Sequence, residues 1–249
     1  MDKKALVTGA SAGIGNVFAK ELAKLGYTIM GVARNEAKLK DLVQHIGQKH
    51  AFIVADLSTK AGQLSVAREL ESNHYDLLVN NAGVGIVGSF AGTSIDKQLA
   101  MMRLNCEAVV RLAHAFLKNA KSGDALINIS STIAFTPMAS LGLYCATKAF
   151  VTSFSESLWF EQKSKGIFVM DFCPGMTSTD FQVNAGGRNE DLPKNMSQTP
   201  ETAVANALKA LASRKKPTVI SGTKNWIFGS MPRFLSRKSL VNMLGKMMT

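Results

Sequence analysis

The sequence predicts an α/β fold of the doubly wound class, a mostly parallel seven-stranded sheet with helices on both faces. Two observations carry that expectation. Seven short apolar runs alternate with stretches of helical periodicity, the pattern of repeated strand–helix–strand units. A glycine-rich turn also stands directly between the first run and the first helical stretch, at the carboxyl end of a strand, where sheets of this class bind ligands. The 249 residues suffice for one such domain with a large core. Residues 1–222 read as that domain, and 223–249 as a basic amphipathic extension packed on or beside it.

Ala5-Leu6-Val7 opens the first strand and residues 28–32 form the second. The next three are 51–54, 77–79 and 125–129, followed by 167–170 and 218–220. Such near-continuous apolar strands suit a sheet covered on both sides. Helix-length stretches span 14–25, 35–46, 97–119, 144–163 and 200–213.

Hydrophobic residues make up 46% and charged residues 19% of the chain, which excludes a disordered polymer. The net charge of +11 favours anionic ligands. The basic residues are spread along the chain rather than gathered with aromatics, which argues against nucleic acid as the partner. Cys106, Cys145 and Cys173 lack metal-ligand spacing and cannot all pair, so reduced thiols and no metal are expected. The start, Met1-Asp2-Lys3-Lys4, runs into the first strand without a signal-peptide pattern, and no apolar run is long enough to span a bilayer. A cytoplasmic location is the resulting expectation.

In Thr8-Gly9-Ala10-Ser11-Ala12-Gly13-Ile14-Gly15, three glycines permit a tight turn, close backbone approach to a pyrophosphate, and close packing of helix on strand. The second strand ends at Arg34, with no carboxylate until Glu36. A carboxylate there would receive the free ribose of NAD(H), whereas the planar guanidinium suits a 2′-phosphate. NADP(H) is therefore expected ahead of NAD(H). Tyr144 and Lys148 lie four residues apart on a predicted helix, so phenol and ammonium share one face. A nearby cation favours the phenolate, and Lys148 is expected to draw Tyr144 towards a working acid/base range.

The spacing T-G-x-x-x-G-x-G resembles the short-chain dehydrogenase/reductase family, and the joint likeness covers about residues 4–222. That resemblance implies a Rossmann-like fold of the compact single-domain branch and a hydride transfer between NADP(H) and a carbonyl or secondary alcohol. It implies Tyr144 as acid/base and Lys148 as the residue that tunes it and holds the nicotinamide ribose. Ser131, thirteen residues before Tyr144, matches the family's serine, whose hydroxyl binds the substrate oxygen; Ser130 beside it is given a structural role. Asn105 matches a helix asparagine that holds a water in a proton relay. Asp56-Leu57 corresponds to an acidic-apolar pair beside the adenine, with a helix N-cap as the competing explanation. Asn80-Asn81-Ala82-Gly83 matches N-N-A-G, whose asparagines bridge strand ends while Ala82 and Gly83 admit the cofactor ribose. Pro174, Gly175, Thr177 and Thr179 fall on the family's P-G-x-x-x-T loop, Thr179 at the nicotinamide carboxamide. Thr8, Gly9, Ser11, Gly13, Ile14, Gly15 and Asn81 complete the expected cofactor set. A homodimer or homotetramer is implied as well.

Val84, Ile86, Val87, Ile133, Phe135, Met138, Leu141, Met176 and Phe181 form the expected pocket wall, which suits an apolar ketone, aldehyde or alcohol. A substrate lid is expected over about 180–199. The rival function is a non-catalytic NADP(H)-sensing regulator, which has no need of all four of Asn105, Ser131, Tyr144 and Lys148. For the extension, packing or assembly ranks ahead of membrane-surface association.

Overall fold

Strands β1 (Lys4–Thr8), β2 (Thr28–Ala33), β3 (Ala51–Val54), β4 (Leu77–Asn80), β5 (Ala125–Ile129), β6 (Phe168–Cys173) and β7 (Thr218–Ile220) form one sheet. This is seen in a computed structural model that describes residues 3–186 and 197–246. The order is β3-β2-β1-β4-β5-β6-β7 and every neighbouring pair is parallel. The sixth strand starts one residue later than the expected 167 and runs three residues further, because hydrogen bonding to β5 and β7 continues to Phe172 and Cys173.

Alternation along the strands divides the core in two. On one face Ala5, Val7, Ile127, Met170 and Phe172 pack against α1 (Gly13–Lys24), α2 (Glu36–Ile46) and α8 (Pro200–Ser213). On the other, Leu6, Leu78, Leu126 and Val169 meet α3 (Lys60–Ser72), α5 (Ala108–Asn119) and α6 (Gly142–Gln162). The doubly wound expectation holds for this physical reason: each strand has two apolar faces to bury.

The predicted helix at 97–119 is interrupted. Helix α4 (Ile95–Met102) passes into a π-helical turn at Arg103–Glu107 before α5 begins. A short α7 (Phe181–Asn184) follows β6, and α9 (Thr223–Ser230) and α10 (Arg237–Lys246) end the described chain. Within the span 180–199 expected as a lid, the structure shows α7 near one end and Gln198, bridged to Thr177, near the other; residues 187–196 lie outside the described residues.

Two polar groups inside this frame set its tolerance to change. Thr8 is buried, and its hydroxyl accepts the backbone N–H groups of Asn81 and Ala82, both at 2.9 Å, while donating to the Val79 carbonyl at 3.3 Å. Thr8→Val keeps the shape but strands the Ala82 N–H and leaves the Asn81 N–H only its 3.1 Å bond to the Val79 carbonyl, so it should cost about 1–3 kcal/mol of unfolding free energy in urea titrations; a loss below about 0.5 kcal/mol would refute the brace. Asp171 on β6 is fully buried; it accepts the Cys173 thiol at 3.1 Å, and its Oδ1 has no partner. Burial pushes its pKa up to about 7 from 3.8, although hydrogen bonds from Cys173 and Thr152 oppose this. Between those two values the unfolded chain ionises while the fold keeps the proton, so stability from this group falls as pH rises through that window and is gone above it. Asp171→Asn should flatten the decline in urea midpoint between pH 4 and 7, and an unchanged pH profile would refute the assignment.

Candidate active site

The glycine turn lies at the carboxyl end of β1. Gly9 and Gly13 have φ of +70° and +54°, conformations that favour glycine. A Cβ on Gly15 would run into the Gly9 carbonyl and the Asn81 amide, so α1 sits as close to the turn as a helix can. Asn81 donates its side-chain amide to the Thr8 carbonyl at 2.9 Å, tying β1 to the end of β4. Thr8, expected at the cofactor, thus turns its side chain into the fold, while half-buried Ser11 and Ile14 stand on the outer turn.

Helices α2, α3 and α8 are capped by the side chains of Asn35, Thr59 and Thr199. Helix α1 instead begins at Ala12, with no side-chain cap and no acidic residue in its first turn. Its first N–H groups therefore point at the glycine turn without an internal partner, and the helix dipole adds positive potential. That donor set fits the pyrophosphate of a dinucleotide. A groove of about 480 Å³ runs beside it, walled by Gly13, Asn16, Lys20, Thr179 and Asp180 among others.

Arg34 is exposed at the end of β2, and its charge reaches Asp56. Burial raises the Asp56 carboxyl, but hydrogen bonds from the Ser58 hydroxyl and N–H, with Arg34, leave it below the ordinary value. Thr59 caps α3, accepting from Gly62 N–H at 3.1 Å, so Asp56 is not the helix cap. Leu57 is buried, and its carbonyl accepts from the Gln63 side chain.

At the ends of β4 and β5 the second cluster forms. Asn80 donates to Asn128 at 2.9 Å across the two strands, as the bridging role of the asparagines implies. Asn105 sits in the π-helical turn, 1% exposed, where the widened helix pushes its carboxamide inward. It accepts Val84 N–H at 3.0 Å and donates to the Val84 carbonyl at 2.9 Å and to Thr147 Oγ1 at 3.1 Å. Lys148 donates to the Ile129 carbonyl at 2.9 Å. Gly83 lies between the two: a Cβ there would stand 3.2 Å from Asn105 Oδ1 and 3.5 Å from Lys148 Nζ. Ser130 faces away, donating to the Lys148 carbonyl and sharing a hydrogen bond with Thr152, in keeping with its structural role.

Tyr144 lies one turn before Lys148 on α6, with the ammonium 5.8 Å from its ring centroid. Burial pushes the phenol above its ordinary value, against a hydrogen bond with Ser131 that lowers it. The expected downward pull of Lys148 on Tyr144 is therefore not what governs the phenol. Desolvation outweighs it, and the ammonium itself is drawn down to about 8 by burial, with Asp171 the largest influence in the opposite sense. Ser131 begins the 3-10 turn at Thr132–Phe135 and holds Ile133 N–H at 3.4 Å. The structure thus brings Asn105, Ser131, Tyr144 and Lys148 together, with Gly83 beside them.

The loop after β6 completes the enclosure. Pro174 accepts Thr132 N–H at 3.2 Å, and Thr177 turns its hydroxyl back to the Gly175 carbonyl at 2.9 Å. The methyl of Thr179 faces Gly13, 3.2 Å from where a Cβ would be. Phe181 on α7 lies 5.6 Å from Tyr144, ring centre to ring centre, and a Cβ on Gly85 would come within 3.0 Å of its ring. At the start of α6 a cavity of about 150 Å³ is lined by Ile86, Phe90, Met101, Met138, Leu141 and Leu143, with Gln98 among the polar groups; none of Asn105, Ser131, Tyr144 and Lys148 lines it. Ile86, Met138 and Leu141 come from the expected pocket wall; Val84, Val87, Ile133, Phe135, Met176 and Phe181 do not line this cavity.

Sequence reasoning passed over two contributors. Asp171 was legible as a carboxylate inside an otherwise apolar strand, the kind of burial that needs a reason. Asn225 of α9 fills the space beside Gly175, where any Cβ would collide with it, and it donates to the Ser221 carbonyl at 2.7 Å. No local pattern announces such a long-range contact.

Three comparisons bear on this geometry. The family model described as short chain dehydrogenase matches residues 3–190. The very-long-chain 3-oxoacyl-CoA reductase of Macaca fascicularis is 31% identical over 251 residues, covering 96% of this chain and 78% of that protein. Among solved structures, a short-chain dehydrogenase from Sphingobium yanoikuyae in complex with NADPH superposes with a TM-score of 0.83 at 28% identity, covering 93% and 94% of the two chains. A bulky-bulky ketone specific alcohol dehydrogenase from Comamonas testosteroni gives 0.78 at 27% identity over 93% and 92%. With its parallel sheet, glycine turn and buried polar cluster, this chain belongs to the short-chain dehydrogenase/reductase family and is an oxidoreductase.

Proposed function

We propose that the protein transfers a hydride between NADP(H) and a carbonyl or secondary alcohol, and that it reduces an apolar ketone or aldehyde. The observation that carries this reading is the meeting of Tyr144, Lys148, Ser131 and Asn105 beside Gly83, at the strand ends that face the glycine turn. A nicotinamide held by these residues would supply the hydride for the carbonyl carbon, and everything else would fall to side chains. Tyr144, held neutral by burial, donates its proton to the carbonyl oxygen, and Ser131 hydrogen-bonds the same oxygen. Lys148 stabilises the phenolate that remains and holds ribose hydroxyls. Asn105 Oδ1 and Lys148 Nζ both face the bare Cα of Gly83, and a water held between Asn105 and Lys148 would pass protons back to the lysine.

The cofactor would lie along Gly9, Ser11, Gly13, Ile14 and Gly15, with Thr8 bracing the turn from below. Arg34 would take the 2′-phosphate, Asp56-Leu57 the adenine, and Asn81-Ala82-Gly83 the ribose approach. Pro174, Gly175, Thr177 and Thr179 would close over the nicotinamide. The exposed guanidinium of Arg34 and the NADPH of the Sphingobium relative support NADP(H) over NAD(H). The largely apolar cavity at the start of α6, and the ketone and oxoacyl substrates in the relatives' names, support the carbonyl class. A sensor that only binds nucleotide is less favoured, since it gains nothing from a buried lysine poised beside a buried tyrosine.

Tyr144→Phe should retain fold and cofactor affinity while losing at least about a hundredfold in turnover, the usual scale of acid/base catalysis. Loss of NADPH absorbance with a panel of apolar ketones reads it, and near-normal turnover would remove Tyr144 from the chemistry. Arg34→Asp should weaken NADPH binding by roughly ten- to a hundredfold and reverse the preference towards NADH, because a charge-assisted contact becomes a repulsion. Titrations of both nucleotides at several salt concentrations measure this; equal NADPH affinity in the two proteins would leave Arg34 a solvated residue.

A further inference from the structure

We infer that the outward face of the C-terminal segment, α9 through α10, docks on a lipid surface with anionic headgroups. Residues 223–249 contain five basic residues, Lys224, Arg233, Arg237, Lys238 and Lys246, and no acidic one. The structure separates the uncharged residues of this segment into a buried and an exposed set. Asn225 and Gly229, four apart on α9, are buried, and so are Leu240 and Leu244 on α10. Those four account for the packing expected of the extension. Trp226 and Ile227 lie on the other side of α9, 56% and 59% exposed, and Phe234 in the link to α10 is 84% exposed. Val241, at 48%, continues the exposed set on α10.

Exposed apolar side chains in a segment whose charged residues are all basic fit a bilayer interface. Aromatic rings settle at headgroup depth, aliphatic chains enter the acyl boundary, and lysine and arginine meet the phosphates. A second copy of the chain fits worse: an isologous contact would set this basic face against itself. Nucleic acid would use the charge but has no place for Ile227 and Val241, which offer no ring for a base to stack on. The inner side of α9 is braced on the site, through Asn225 at Gly175 and Gly229 at Phe135. A lipid surface would therefore lie one helix away from the loop after β6.

The full chain should co-sediment with vesicles of equal phosphatidylglycerol and phosphatidylcholine, and not with phosphatidylcholine alone. Binding should fall as salt is raised to about 0.5 M. Each basic residue near such a surface contributes about fivefold, so Arg233→Glu with Arg237→Glu should weaken partitioning by at least about twentyfold. Trp226→Ser with Phe234→Ser should weaken it by at least about tenfold, and wild-type fluorescence should shift to the blue on vesicles while Trp226→Phe, which keeps only Trp159, should not shift. All these positions are exposed, so circular dichroism melting midpoints should be preserved and report intact folding. The inference is overturned if the wild type ignores anionic vesicles, or if both double variants bind them like wild type. It is equally overturned if the Trp226/Phe234 variant dissolves an oligomer in analytical ultracentrifugation without any vesicle binding by wild type, which assigns the face to a second copy. Binding to single-stranded DNA in place of vesicles would assign it to nucleic acid.

Discussion

The hydrogen bonds between Thr8 and the Asn81-Ala82 backbone are the constraint on which the site is built. They close the gap between the ends of β1 and β4, neighbours in the sheet that are separated by more than seventy residues of chain. With that gap closed, Asn81 reaches back to the Thr8 carbonyl and lies over Gly9 and Gly15, where no side chain could intrude. The glycine turn is thereby held from both sides. From the same anchored backbone the chain continues to Gly83 and Val84, which meet Lys148 and Asn105. One hydroxyl thus links the glycine turn to the polar cluster.

Burial governs the electrostatics of that cluster more than pairing does. Tyr144, Lys148 and Asp171 are all taken from water, and each is pushed towards its neutral form. Asp171 and Lys148 pull each other back towards charge, and the cysteines at 106 and 173 sit within reach of the same ammonium. The result is an acid that keeps its proton beside a base that holds its own loosely.

The glycines, Arg34 and the Tyr144–Lys148 pair were legible in the sequence because each answers to a local rule: a φ sign, a charge at a strand end, a helical period. The seven strands were legible because apolar runs on a doubly covered sheet have few polar interruptions, chiefly Asn128 and Asp171. What stayed hidden was whatever depends on distant partners. The true cap of α3 is Thr59 rather than Asp56, a choice between two residues with the same propensity that only backbone geometry decides. The placement of Asn225 beneath Gly175 joins parts of the chain fifty residues apart. The direction of the Tyr144 shift also eluded sequence reasoning, which saw the neighbouring cation but not the depth of burial.

The π-helical turn at Arg103–Glu107 has a consequence for how the chain tolerates insertions and deletions. A π-turn holds one residue more than the regular ladder needs, so removing a residue there would let α4 and α5 join as one continuous helix of better geometry. Because the extra residue is absorbed within the turn, α4 and α5 would keep close to their present phase, and the change would fall on the turn itself, where Asn105 is buried. Local regularity and the placement of Asn105 are in direct competition at this point. The middle of this helix, rather than a surface loop, is where the fold has least freedom to change length.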